Sequence, residues 1–374
     1  NKPGIHVYNA DGDAPAIVTD GNNASISGSS TSTGSFGMLR VGDSGANLVL
    51  RTKSANISIG NINTYPYVMN SGAGNYNIAI GTEAMMSQTS GERNVGVGYQ
   101  AGRSNVGGDY NAFMGFSAGR GTTNGTYAGN TGLGYNALYT LNTGTNNVAV
   151  GREALYQLDK GQKSVAVGNS AGHYATGSYT TFVGADAGLG GQTSAPFSSG
   201  QYNTAIGYQT MQGFTTGQQN FIGGYRAGYS LQSGNYNVYL GTFAGYSKTT
   251  ATGNVAIGYN SNKSGTSAGT NVAIGYESAA NTTLNDGVWI GANANKLGTG
   301  GGGGVIIGHY AGYVAQGSQM VHVGQNAGRY ASGSYNTFVG RNAGQGGTTS
   351  APYSSGTNNT AVGYNALAGF TTGA

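Results

Sequence analysis

The chain of 374 residues contains no cysteine, five prolines, a single tryptophan and only 7% charged residues. Without cysteine there is neither a disulfide scaffold nor a thiolate metal site, so stability has to come from backbone pairing and packing. The 16 basic and 12 acidic residues, net +4, are thinly scattered. No run of Lys or Arg follows a phosphate backbone, and nucleic acid is not an expected partner. No apolar run approaches the roughly 20 residues that carry a helix across a bilayer, and no charged-then-apolar signal segment opens the chain. Membrane insertion is therefore not expected. The chain begins at Asn1 rather than Met and stops in mid-pattern at GFTTGA, as a trimmed or processed piece would.

What it has in excess is glycine, 72 residues, together with 27 tyrosines. Disordered segments of high glycine content are poor in aromatic and β-branched residues. Here Tyr, Val and Ile recur in phase, which argues for order. Fixing one glycine per unit gives Gly81, Gly98, Gly115, Gly134 and so on through Gly340 and Gly363, seventeen repeats in all. Fourteen of the sixteen steps are 16 to 19 residues long, nine of them 17, and the two exceptions, Gly184 to Gly207 and Gly340 to Gly363, are both 23. So short and regular a period predicts a solenoid.

The columns around that glycine are distinct. Three residues after it the side chain is always small, Ala in fourteen repeats and Thr210, Ser261 or Ser278 in the others. Immediately before it the residue is apolar in every repeat except at Gly223, so Ile257 and Ile274 are expected to face a core. Four residues before it, Asn stands in twelve repeats, including Asn254 and Asn271. Two roles are open to these asparagines: a ladder of stacked side-chain amides, or a residue that tolerates the turn entering a strand. In NVAIG, Val and Ile alternate with Ala and Gly at the period of a strand. A second short segment such as YNALYTL at 135–141 follows, so each coil has room for two short strands.

Parallel stacking at about 4.8 Å per coil would make a rod on the order of 77 Å long. One thin coil has little apolar volume and needs stacked neighbours. Association into a bundle, expected to be a homotrimer, would bury more. The fold class expected is all-β: a parallel β-solenoid of about 17-residue coils over 61–374, with 1–60 as a lead-in or capping β segment. A higher repeat is also present, because 171–217 and 327–373 align without gaps with 32 of 47 positions identical.

The unit NxAIGYxA, with turns written TTG or SG, resembles two groups of proteins. One is the β-roll head of trimeric autotransporter adhesins. The other is the phage tail fibre proteins with NTAVGYxAL-type repeats, seen here at 359–367. The resemblance covers about residues 56–374. It implies a trimeric, extended, extracellular β fibre that attaches to a cell surface. The 17-residue coils exceed the adhesin unit in length, which favours the phage group. The implied location is the virion tail fibre, with the bacterial surface as the alternative. Implied partners are further copies of the chain, other tail fibre or baseplate proteins, and a host surface glycan or protein receptor.

Reactive groups are sparse, and neither an enzyme nor a cofactor is expected. Glu153 and Asp186 share a column two coils apart, slightly beyond the separation of an inverting glycosidase pair. His6, His173, His309 and His322 lack metal-ligand spacing, and DGD at 11–13 reads as a turn rather than a calcium loop. An ice-binding solenoid would need a Thr column in register, which is missing. Aromatics recur one residue after the glycine, from Tyr99 and Phe116 to Tyr364. They are expected to pack inside the roll or at a chain–chain seam, with sugar stacking on an exposed ladder as the alternative. The two long coils both spell their excess as Gly-Gly, TSAP, an aromatic, then Ser-Ser-Gly. Pro196, Phe197, Pro352 and Tyr353 are the candidate receptor-binding residues, on loops that either contact a receptor or brace a neighbouring chain.

Overall fold

The computed structural model describes residues 6–9, 15–18, 57–59 and 74–372, except 123, 192–196, 266–268, 283, 300–301 and 348–352. The chain divides into two units, Asn1–Arg51 and Thr52–Ala374. The first contains β1 (His6–Asn9) and β2 (Pro15–Val18), paired antiparallel with His6 opposite Val18. The DGD turn between them lies outside the described residues.

The second unit is an all-β parallel solenoid. Its strands run in one ladder from β3 (Ile57–Ile59) and β4 (Ile78–Ile80) in chain order to β20 (Thr360–Val362), each strand paired in parallel with its sequence neighbours. The register is invariant: Val255, Ala256 and Ile257 lie opposite Val272, Ala273 and Ile274. Ile57–Ile59, which the sequence pattern leaves in the lead-in segment, is the first rung of this ladder. Each strand has three residues, and the coil glycine ends it. Gly258 has φ +129°, and a Cβ there would lie 2.4 Å from the carbonyl oxygen of Gly275 in the next coil. Gly275 stands in the same relation to Gly291, at 2.6 Å. Only glycine fits a column where backbones stack this closely.

The second segment of the coil is not a strand. Its residues two and four after the glycine, such as Glu153 (φ +56°) and Leu155 (φ +48°), have left-handed backbones. This breaks the in–out alternation of a pleated strand, so Ala154 and Leu155 are adjacent and both fully buried. Successive coils still bond through this segment, Gln100 N donating to Thr82 O and Met85 N to Ala101 O. Where Ser or Thr replaces Ala three residues after the glycine, the hydroxyl bonds to the next coil: Thr210 Oγ1 to Gly224 O at 2.6 Å, Ser278 Oγ to Trp289 O at 2.9 Å.

The core lies between the middle residue of each strand and the residue six positions later, and their sizes are complementary within a coil. Phe113, Phe182, Tyr239 and Phe338 face Gly119, Gly188, Gly245 and Gly344, whereas Ala79, Ala149 and Ala205 face Met85, Leu155 and Met211. A Cβ on Gly188 would come within 2.3 Å of the Phe182 ring. Where both positions are small, as at Ala166 and Gly172, adjacent coils fill the space: a Cβ on Gly172 would meet Leu155 and Phe182, each at 2.8 Å.

The asparagine column forms amide ladders, buried from Asn77 to Asn336 and half-buried at Asn359. Asn111 donates its backbone N–H and its side-chain amide to Asn94 Oδ1, both at 2.9 Å, and Asn94 relates to Asn77 in the same way at 2.8 and 3.1 Å. Asn254 donates its backbone N–H to Asn237 Oδ1 at 3.0 Å, and Asn271 N–H donates to Asn254 Oδ1 at 3.1 Å. The second amide hydrogen reaches a turn carbonyl of the next coil, as from Asn271 to Leu284 O at 2.8 Å. Ladder and turn roles coincide, because the side chain also satisfies the backbone N–H at the strand entrance.

Candidate functional site

Strand residues alternate in direction, so the two ends of each three-residue strand face away from the core. In β14 (Val255–Ile257), Ala256 is fully buried and Ile257 is 36% exposed. Ile274 is half-buried at the end of β15 (Val272–Ile274). The expectation that Ile257 and Ile274 face the core is thus overturned; the small middle residue does. Room inside the thin coil is already taken by the small column and the residue after it, as Ala154 and Leu155 show. The outer face of the ladder has two rows: the last strand residue is Val, Ile, Leu or Met in every coil but that of Gly223, with Met114, Leu133 and Ile206 exposed, and the first is mostly Val, with Thr131, Thr181, Thr204, Thr337 and Thr360 among the exceptions.

Next to that stripe stand the aromatics that follow the glycine. They are exposed, not packed inside the chain. Tyr99 stacks on Phe116 (ring centroids 4.9 Å apart) and Phe116 on Tyr135 (5.4 Å), and Tyr259 stacks on Tyr276 (5.3 Å). The 17-residue step keeps equivalent rings one coil apart, close enough for offset stacking. A further row, not singled out from the sequence pattern, lies five residues after the glycine. Tyr139 stacks on Tyr156 at 4.9 Å with the rings within 2° of parallel, and Tyr156 stacks on His173 at 4.8 Å. Its signal in the sequence was only the spacing of Tyr139, Tyr156, Tyr229 and Tyr246.

The two long coils are anchored at the residues after their insertions. Phe197 is half-buried and stacks on Tyr174 of the preceding coil at 6.2 Å, and Tyr353 stacks on Tyr330 at 6.5 Å. Neither aromatic stands clear of the coils, as a free loop tip would. The next serine is buried in each case and bridges two neighbours: Ser198 N donates to Tyr174 O at 3.0 Å and Ser198 Oγ to Phe214 O at 2.6 Å. Ser354 repeats both contacts with Tyr330 and Phe370. Pro196 and Pro352 lie outside the described residues.

The ionisable groups are dispersed. Glu153 pairs with Arg152 at 3.0 Å and lies 3.6 Å from His173 Nδ1, whereas Asp186 accepts from Gln209. Burial lowers the His173 pKa against the pull of Glu153. His322 takes the buried middle position of β18 (Val321–Val323), stacked on Phe338 at 5.1 Å, and burial holds its pKa at about 3. Neither of its ring nitrogens has a hydrogen-bond partner among the described residues. Lys248 occupies an interior position that is leucine at Leu141, Leu158 and Leu231, and burial lowers its pKa to about 8. Among the described residues no group of three or more His, Cys, Asp or Glu is placed to hold a metal ion.

Comparison with protein-family models, with curated proteins and with solved structures returns no match.

Proposed function

We propose that this chain is the repeat shaft of a homotrimeric attachment fibre of the phage tail fibre kind, which carries contacts to the surface of a host cell. The observation that carries this reading is the outer face of the ladder. Its row of Val, Ile, Leu and Met before the glycine, half-buried to exposed and broken at Gly223, runs along the coils beside stretches of stacked aromatics such as Tyr99, Phe116 and Tyr135. A contiguous apolar stripe of that extent marks an interaction surface, and a repeating surface of one chain is most simply covered by parallel copies of itself under rotational symmetry. The NTAVGYxAL-type repeat supports a fibre, and a location on the virion follows from the same reading.

Sedimentation equilibrium of the purified chain tests the assembly, with three copies expected and a monomer at micromolar concentration arguing against it. Gold-labelled antibody on intact particles tests the location. Tail labelling supports the fibre, whereas labelling of bacterial cells alone points to a surface adhesin. Competition of the purified chain with particle adsorption tests attachment, and undiminished adsorption at saturating protein argues against it.

A further inference from the structure

Phe197, in the long coil between Gly184 and Gly207, closes one end of a groove of about 570 Å³ that runs across neighbouring coils. Its walls include Asn142, Gln157, Asp159, Lys160 and Thr176, with Phe197 at the far end. The backbones are fixed by the coil stack: Asn142 N donates to Asp159 O at 2.9 Å, Gln157 N to His173 O at 2.9 Å and Thr176 N to Ser198 O at 2.8 Å. Their functional ends are free. No hydrogen bond or ion pair within the described residues engages the amides of Asn142 and Gln157, the carboxylate of Asp159 or the ammonium of Lys160. Phe197 is held against Tyr174, so its ring is oriented before any ligand arrives.

We infer that this groove binds a linear, uncharged oligosaccharide, with Phe197 stacking on a sugar ring and the four free polar side chains bonding to hydroxyls. This deepens the attachment reading and rests on it. A preset ring beside planar amides and one carboxylate matches the two faces of a pyranose, an apolar C–H face and an equatorial rim of hydroxyls. One carboxylate beside one ammonium leaves the groove without net charge, which disfavours a polyanion. From the Thr122 coil to the Phe197 coil are four steps, roughly 19 Å at the spacing of stacked strands, enough for several sugar units.

The duplicated block supplies an internal control. Tyr353 matches Phe197, but counted from the coil glycine Val314, Gln316 and Gly317 stand where the first groove has Gln157, Asp159 and Lys160. The second site keeps the ring and one amide, at Gln316, but has neither the carboxylate nor the ammonium and has Val314 in place of Gln157, so it is not expected to bind.

The test is calorimetric titration of the full chain with maltohexaose, cellohexaose and N-acetylchitohexaose, each at millimolar concentration. At least one is expected to bind. Phe197→Ala should weaken that binding by tenfold or more, Gln157→Ala and Asp159→Ala by three- to tenfold, and Tyr353→Ala should leave it unchanged. Gln157 and Asp159 are half-buried and their side chains make no bond within the described residues, so their variants report on the groove even if Phe197→Ala disturbs the coil. Absence of binding to all three probes overturns the assignment, as does binding that survives Phe197→Ala and Gln157→Ala together. Loss of self-association in Asp159→Ala without sugar binding in the parent also overturns it, and gives the groove to a neighbouring copy. If the chain blocks particle adsorption while binding none of the sugars, only the groove assignment falls; if it binds sugar and does not block adsorption, only the attachment reading falls.

Discussion

Asn220 donates its side-chain amide to Oδ1 of Asn203 at 3.0 Å, one coil away, and both residues are buried. Its own Oδ1 accepts the backbone N–H and the side-chain amide of Asn237, each at 3.0 Å, and its second amide hydrogen reaches Gly234 O at 2.9 Å. Every polar atom of this side chain is satisfied within the protein, and each bond ties one coil to another.

Breaking that chain of amides should therefore be costly in proportion to what is left unpaired. Asn220→Asp replaces the donor by a carboxylate oxygen that faces two acceptors, Asn203 Oδ1 and Gly234 O, and should destabilise by several kcal/mol, about 3–5 as for a buried charge without a partner. Asn220→Ala leaves unpaired groups on both sides and should cost about 1–3 kcal/mol. Chemical denaturation of the two variants measures the difference, and equal midpoints would show that the ladder carries no orientation-specific energy.

The core pairs should exchange. Phe182→Ala alone opens a cavity and is expected to cost about 3–5 kcal/mol. Gly188→Leu alone forces a side chain into the Phe182 ring and should do comparable damage. Together they recreate the pair found at Ala149 and Leu155, where Leu already takes the left-handed backbone with φ +48°. A double-mutant cycle in thermal melts should show the second change restoring most of the stability lost to the first. Additive losses would refute size complementarity within the coil.

Neighbouring strand residues should separate folding from association. Ala256→Asp places a charge in the core and should unfold its coils, whereas Ile257→Asp, on the outer face, should keep the circular dichroism spectrum and reduce self-association at least tenfold. Sedimentation and circular dichroism of both variants decide this. An unfolded Ile257→Asp would return that column to the interior.

His322 and Lys248 set opposite pH limits. The folded pKa of His322, about 3, lies below the ordinary 6.5, so the folded state binds fewer protons. Its contribution is fully present above pH 6.5 and is lost as pH falls toward 3, with a slope of about 1.4 kcal/mol per pH unit. Lys248, at about 8 against 10.5, leaves stability level below pH 8 and raises it between 8 and 10.5. Denaturation midpoints across pH should show both slopes, and His322→Phe and Lys248→Leu should abolish the acidic and alkaline ones respectively. Slopes that persist in the variants would assign them to other groups.

The period, the parallel stack and the small column were legible because each arises from a contact repeated at every coil. A carbonyl from the next coil excludes a Cβ at Gly258, and the same exclusion at Gly275 prints glycine at a fixed spacing. The asparagines were visible too, but sequence left their ladder and turn roles as alternatives, whereas stacking makes one side chain perform both. What the sequence by itself did not decide was which side of the strand faces inward. In Val255-Ala256-Ile257, hydrophobicity favours the larger residues for the core, and alternation permits either choice. The tertiary structure chose the alanine. Left-handed residues in the second segment, such as Asn260 and Asn262 in that coil, curl the chain so that the small column and its neighbour already occupy the interior. Only the middle strand residue shares that space, its size is set by its partner six positions on or, where both are small, by the adjacent coils, and the Val and Ile that pattern alone would bury are left on the outside.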